Sequence, residues 1–151
     1  FLLKILIGYP AEAEELRILD NVQAGFDPAD LAGVSLPVLL SAASLGELRT
    51  AVRGVRVEPM VRRYITQIVR ATRSARGVLL GASPRAAVML LQAAKAKAVL
   101  SGRDFVTPDD VKGMALPALR HRLLLLPEIE VEGRTADTCL TDLLRRVEVP
   151  R

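Results

Sequence analysis

The segment Gly81-Ala82-Ser83-Pro84-Arg85 places a guanidinium where the longest apolar helix of the chain should begin. Ser83 suits the capping position and Pro84 the first turn. A cation in a first turn opposes the helix macrodipole, so Arg85 is locally unfavourable unless an anion answers it. The free N–H groups of a helix start also attract phosphate, and arginine offers a planar fork of donors that stays charged at every relevant pH. The chemistry this arrangement suits is recognition of phosphate oxygens. On the residues alone, an ordinary surface arginine is the favoured alternative, bonded to a nearby carboxylate or lying in solvent.

Around this arginine the usual catalytic signatures are missing. The sequence holds no G-x-x-x-x-G-K-[ST] phosphate loop, no acidic strand end to hold Mg²⁺, no G-x-S-x-G elbow and no Cys/His ligand spacing. No residue pair reads as a nucleophile with its base, so an enzyme complete in itself is not expected. The single Cys139 excludes an intramolecular disulfide framework and suits a reducing, cytoplasmic setting. It falls beside a helical stripe and reads as a small buried hydrophobe. The one His121 cannot supply a histidine-rich metal site.

The elements that must position Arg85 are mostly helical. Half of the 151 residues are hydrophobic and only 3% aromatic, which leaves Leu, Val, Ile and Ala to build the core. Net charge is +4 and the isoelectric point about 9.7. The basic residues are dispersed and few rings are available for stacking, so a dedicated nucleic-acid binder is the weaker reading. Phe1–Ile7 is apolar but too short to span a bilayer, lacks the layout of a signal peptide, and reads as a buried strand stopped by Gly8. The chain does not open with Met, which suggests a piece of something longer.

Tyr9-Pro10 turns the chain into a helix with Glu12, Glu14 and Glu15 in its first turn. Residues 25–37 form a loop dense in Gly, Pro, Asp and Ser. Two short segments, 37–40 and 55–57, are strand candidates that can pair as a minor ribbon. Between them a helix opens on the capping-box pattern Ser44-x-x-Glu47 and stops at Gly54. The next starts near Pro59, with Val61, Ile65, Ile68 and Thr72 as its buried stripe. The helix from Pro84 to about Leu100 should be central and most buried. Thr107-Pro108-Asp109-Asp110 opens another, which Pro117 should kink or end. A last helix, capped by Thr135, runs from about Ala136 to Val147. The expected fold class is mainly α: a bundle of about six helices with one N-terminal strand and room for a small ribbon.

Taken together, these segments resemble the MoxR family of AAA+ ATPases. Gly-Ala-Ser-Pro-Arg-Ala at 81–86 looks like the family's sensor 2 segment, and Ile7-Gly8-Tyr9-Pro10 like its junction between the last core strand and the lid. Val69-Arg70-Ala71-Thr72-Arg73 is similar to the following helix. Residues 101–111 and 119–123 resemble two further family segments, in matching order and spacing. Glu58 departs from the Ser-type cap more usual before Pro59, which weakens that helix start.

The resemblance implies an AAA+ lid, with residues 1–9 as the last strand of the core plus hinge and 10–151 as the helical lid domain. It implies that Arg85 reaches the γ-phosphate of ATP and that Tyr9 and Pro10 line the adenine side of the pocket. For the latter two, setting a turn is an equally open role. ATP and Mg²⁺ belong to the intact parent, whose phosphate loop and Mg²⁺ ligands lie upstream; no tight nucleotide binding by this chain alone is expected. The implied partners are its own upstream core, neighbouring subunits of a ring, and client proteins such as those with von Willebrand factor A domains, coupled to chaperone-like remodeling. No membrane partner is expected. The alternative is a helical module that binds protein or nucleic acid without any nucleotide. Arg120-His121-Arg122 suits a subunit or client contact, or a solvated helix end where cations favour the dipole, the latter being preferred. An orphan apolar strand at 1–7 should pack on another copy, swap between copies, or fold onto the bundle.

Overall fold

The computed structural model of the chain describes residues 1–30, 34 and 36–150. It contains α1 (Glu12–Gln23), α2 (Ala42–Gly54), α3 (Pro59–Arg73), β1 (Val78–Leu80), α4 (Pro84–Leu100), α5 (Pro108–Leu119), a short 3₁₀ turn (Arg120–Arg122), β2 (Leu124–Leu125), α6 (Pro127–Val131) and α7 (Ala136–Arg146). All six expected helices form, and the five-residue α6 joins them. The chain divides into two compact units, residues 6–45 and residues 1–5 with 46–151.

The larger unit holds the core. α3 buries Val61, Ile65, Ile68 and Thr72 as its spacing predicts, together with Tyr64 and Val69. α4 buries Ala86, Leu90, Ala93, Ala94 and Ala98 and packs most extensively against α5, which contributes Val111, Ala115, Ala118 and Leu119. Alanines on both faces keep side-chain entropy loss small while filling the interface. α7 closes the core with Cys139, Leu140, Leu143 and Leu144, each full burial of a leucine being worth roughly 1.5–3 kcal/mol. The central helix is not apolar for burial alone: Val88 and Leu100 stand out at 51% and 88% exposure.

Three expectations change. Among the described residues, 1–7 and 36–40 form no strand. A strand exists only through a neighbour's ladder, and none is offered to 1–7. Instead residues 1–5 fold onto the bundle, the outcome allowed for an orphan segment. The Lys4 N–H donates to the Pro117 carbonyl at 2.8 Å, the Arg122 guanidinium bonds the Phe1 carbonyl, and Leu3 packs on the core. The small antiparallel ribbon is made elsewhere, by β1 and β2, with Val78 opposite Leu125. Gly77 turns the chain into β1 at φ +85°, where a Cβ would lie 2.9 Å from the Ile129 side chain. Residues 55–57 contribute only a parallel bridge: Arg56 N–H donates to the Asp104 carbonyl and Val106 N–H to the Arg56 carbonyl. Their neighbour is 104–106, a partner too distant in sequence for local patterning to identify.

The α2 cap lies one turn earlier than expected. Ser41 and Ser44 exchange backbone N–H to hydroxyl bonds at 2.8 and 3.1 Å, so Ser41, not Ser44, starts the helix. At its other end the Lys95 ammonium donates to the Arg53 carbonyl at 2.7 Å, a cation on a helix C-terminus. Pro117 sits in the last turn of α5, and the helix stops two residues later. Part of the 25–37 loop, residues 31–33 and 35, lies outside the described residues.

In the 6–45 unit, α1 carries its three glutamates in the first turn, and Glu14 accepts from the Ala11 N–H at 3.0 Å. None of the described residues of this unit is buried.

Candidate functional site

The start of α4 is held against the end of α3 by a bonded junction. Gly81 passes so close to α3 that a Cβ there would lie 2.6 Å from the Arg73 Cα and nitrogen and 2.7 Å from the Thr72 carbonyl carbon. Only glycine fits without moving backbone. The next residue, Ala82, is fully buried, and its N–H donates to the Thr72 hydroxyl at 2.9 Å. Thr72 donates in turn to the Val69 carbonyl at 2.6 Å, so both roles of this buried hydroxyl are used. The Arg73 Nε–H donates to the Ala82 carbonyl at 3.0 Å. Both polar groups of Ala82 are therefore tied to one turn of α3.

This junction was only half legible. Thr72 was expected as part of an apolar stripe and Gly81 as part of a motif, but their meeting was not foreseen. A hydroxyl in a buried stripe needs a partner, and that need was the available signal.

From the anchored Ala82 the chain enters α4 through Ser83 and Pro84. Ser83 occupies the cap position, yet its side chain makes no capping bond, and the first turn contains no acidic residue. Arg85 is exposed, and no hydrogen bond or ion pair within the described residues engages its guanidinium. Of the two ordinary roles for a surface arginine, bonding a carboxylate is thus not realised and solvent exposure is. The arrangement offers a free planar donor set and an uncapped helix end at one place, held by a rigid junction. That combination can engage an oxyanion such as a phosphate.

Tyr9 is 99% exposed and Pro10 is exposed as well. They belong to the 6–45 unit, whereas Arg85 belongs to the larger one. The described residues include no group of three or more His, Cys, Asp or Glu able to hold a metal ion. No helix among them is long and apolar enough to cross a membrane. Cys139 is buried, as expected for a small hydrophobe.

The basic stretch 120–122 departs from the preferred solvated helix end. Arg120 Nε lies 2.9 Å from Asp137 Oδ1, with its side chain only 15% exposed. The Arg122 Nε–H donates to the Ala118 carbonyl at 2.9 Å. Burial pushes the His121 imidazole below its ordinary value, and the nearby Arg122 charge adds to this. These residues tie 1–5 and α7 to the end of α5, because the chain beyond Leu119 turns back into the bundle.

A second polar cluster lies at the start of α5. Asp110 is 2% exposed and takes a two-pronged ion pair from Arg103, both contacts at 2.7 Å. Its carboxylate also accepts from the Thr107 N–H and hydroxyl at 2.9 Å. The Arg103 bond holds the Asp110 pKa down at about 2, burial opposing it and the Thr107 bonds assisting. Every prong of this cluster is occupied within the chain, so it is a structural corner.

Comparison with known proteins bears on the α3–α4 junction directly. The family described as AAA lid domain matches residues 70–143, a span that contains both Thr72 and Arg85. The chain is 36% identical over 150 residues to the uncharacterized protein YeaC of Bacillus subtilis, covering 99% of this chain and 45% of that protein. It is 30% identical to chaperone MoxR1 of Mycobacterium tuberculosis, over its whole length and 41% of the relative. Protein MoxR of Paracoccus denitrificans is 31% identical over 94% of the chain and 46% of its own length. The chain thus spans about half the length of the curated relatives it matches. The crystal structure of an ATPase candidate from Cytophaga hutchinsonii aligns with a TM-score of 0.84 at 29% identity, over all of this chain and 47% of that one.

Proposed function

We propose that this chain, which belongs to the MoxR family of AAA+ ATPases and carries the family's lid domain, reads the nucleotide state of its parent protein through Arg85. One observation carries the reading: Arg85 has no partner among the described residues, although it opens a helix whose start is fixed by the Thr72–Ala82 and Arg73–Ala82 bonds. A free cation in a first turn is unfavourable by itself and becomes favourable when a phosphate arrives. A rigid mount turns that contact into a change of lid angle.

In this proposal Arg85 contacts the γ-phosphate of ATP and supplies part of the charge stabilisation in phosphoryl transfer. Its exposed guanidinium fits a phosphate. The described residues do not supply a cation site, so Mg²⁺ would be held by residues of the parent outside this chain. Tyr9 and Pro10 would line the adenine side, with residues 1–9 as core strand and hinge and 10–151 as lid. The parent would work in the cytoplasm as a ring, coupling hydrolysis to chaperone-like remodeling of client proteins, von Willebrand factor A domains among them.

In the intact parent, Arg85→Ala should lower ATP turnover on the order of 100-fold, the range seen when one preorganised charge-stabilising donor is removed. Near-normal hydrolysis would sink the sensor role. The competing reading, a nucleotide-independent interaction module, draws support from the cationic outer face of α3. A salt-dependent shift of duplex DNA by this chain alone would favour it.

A further inference from the structure

A cavity of about 540 Å³ opens between the end of α3 and α7, entirely within the larger unit. Its floor is apolar and belongs to the core. Cys139 and Leu143 are 5% and 7% exposed, and Ala75 and Val147 pack against the same core. Its walls are cationic: Arg76, Arg134 and Arg146 line it, with Asp142 as the one acidic lining residue. Three cations against one carboxylate leave a local excess of two positive charges.

The single carboxylate is already engaged, because Arg134 holds Asp142 at 2.6 Å. Arg76 and Arg146 are exposed, and no hydrogen bond or ion pair within the described residues engages either. Both lie near a helix end, where a cation ordinarily answers the dipole and bonds the last carbonyls. Other cations in this fold make such bonds. The Lys95 ammonium donates to the Arg53 carbonyl at 2.7 Å and the Arg122 Nε–H to the Ala118 carbonyl at 2.9 Å. Arg76 and Arg146 make none, so their donors stay open beside the cavity.

We infer that this cavity binds a phosphate monoester carried on a small apolar body. Its volume lies in the range of small-molecule sites. A guanidinium presents a planar fork of donors that matches phosphate oxygens. Two unpaired forks suit a dianion with three acceptor oxygens better than a carboxylate with one charge and two. The apolar body covers the floor and takes carbon surface out of water. A floor of low dielectric also strengthens the attraction between the ligand and the walls. None of this rests on nucleotide sensing by Arg85, which opens α4 and does not line the cavity.

Titration of the full chain with phenyl phosphate, followed by amide NMR, tests the assignment. The amides of Ala75, Arg76, Cys139 and Leu143 should shift and saturate with a Kd of about 1 mM or tighter. Benzoate should bind roughly tenfold more weakly for want of charged bonds, and inorganic phosphate by a similar factor for want of apolar burial. Uncharged benzyl alcohol should leave these amides unmoved. Arg76→Gln and Arg146→Gln change exposed, unbonded side chains and should keep the helix content. Each should weaken phenyl phosphate binding about tenfold, and the pair should abolish it. Arg85→Ala should leave the four shifts unchanged. Phenyl phosphate that moves only the Arg85 and Ala86 amides places the anion at α4, which overturns this proposal and leaves the nucleotide reading standing. No saturation below about 10 mM, equal binding of benzoate or benzyl alcohol, or binding that survives the double substitution overturns it as well.

Discussion

α4 and α5 both begin with a hydroxyl residue followed by proline, and the chain finishes the two ends in opposite ways. At α5 the Thr107 hydroxyl accepts from the Asp110 N–H, the Asp110 carboxylate returns the bond, and Arg103 fills the remaining carboxylate positions. Both charges of the Arg103–Asp110 pair are answered within the chain. At α4 the Ser83 side chain makes no capping bond, no carboxylate is present, and Arg85 adds a cation of the disfavoured sign. The first arrangement builds stability. The second leaves a helix end unsatisfied on a firmly held mount, which is what a contact completed by something outside the chain requires.

The largest test of this contrast removes one charge from each end. Asp110→Ala should destabilise the chain by about 1.5–3 kcal/mol, since it removes the charged bonds to Arg103 and Thr107 at the α5 start, measured as the loss in urea midpoint. Arg85→Ala should change stability by no more than about 0.5 kcal/mol, as at other exposed positions. Comparable losses at both ends would erase the distinction.

Acid should distinguish them next. The Asp110 pKa is about 2 in the folded chain against an ordinary 3.8, so its stabilising contribution is present above about pH 4 and lost as pH falls through about 2. With the side chain 3% exposed, this amounts to about 2 kcal/mol. Asp110→Asn should flatten the stability profile in that window, and a profile unchanged by Asn would show that other carboxylates dominate it.

Gly81→Ala probes the mount. Its Cβ would meet α3 backbone at 2.6 Å, and forcing it in should cost about 1–3 kcal/mol. In the parent it should also lower ATP turnover by displacing Arg85, a double loss that Arg85→Ala should not share. The smallest effect belongs to Ser83→Asp. It supplies the missing carboxylate at the α4 start and should raise stability by roughly 0.5 kcal/mol. In the parent it should weaken the response to ATP, because the anion site is then answered internally.

The features legible in the sequence were those decided within one or two turns. The Thr107 and Thr135 caps appear where expected because a capping box closes over three residues. Ser41 was missed for a related reason: Ser41-x-x-Ser44 and Ser44-x-x-Glu47 overlap, and local chemistry does not rank them. The α3 stripe was readable from its period, while the site was readable only as a motif. Thr72 looked like one more stripe residue until the fold brought Ala82 to its hydroxyl. Arg120 and Arg122 looked like a solvated helix end until the Asp137 side chain and the Ala118 and Phe1 carbonyls came within reach.

By itself, then, the sequence determined six helices, the buried faces of α3 and α7, the Thr107 and Thr135 caps and the odd placement of a cation at Arg85. These follow from periodicity, propensity and contacts a few residues apart, which any local segment expresses. Tertiary structure alone decided that 78–80 pairs with 124–125, that 1–5 lies on the bundle without forming a strand, and that Arg85 stands free among the described residues. Those outcomes depend on which distant groups meet, because a donor, a carboxylate or a strand edge is satisfied by whatever neighbour the fold delivers. For Arg85 the fold delivered none among the described residues.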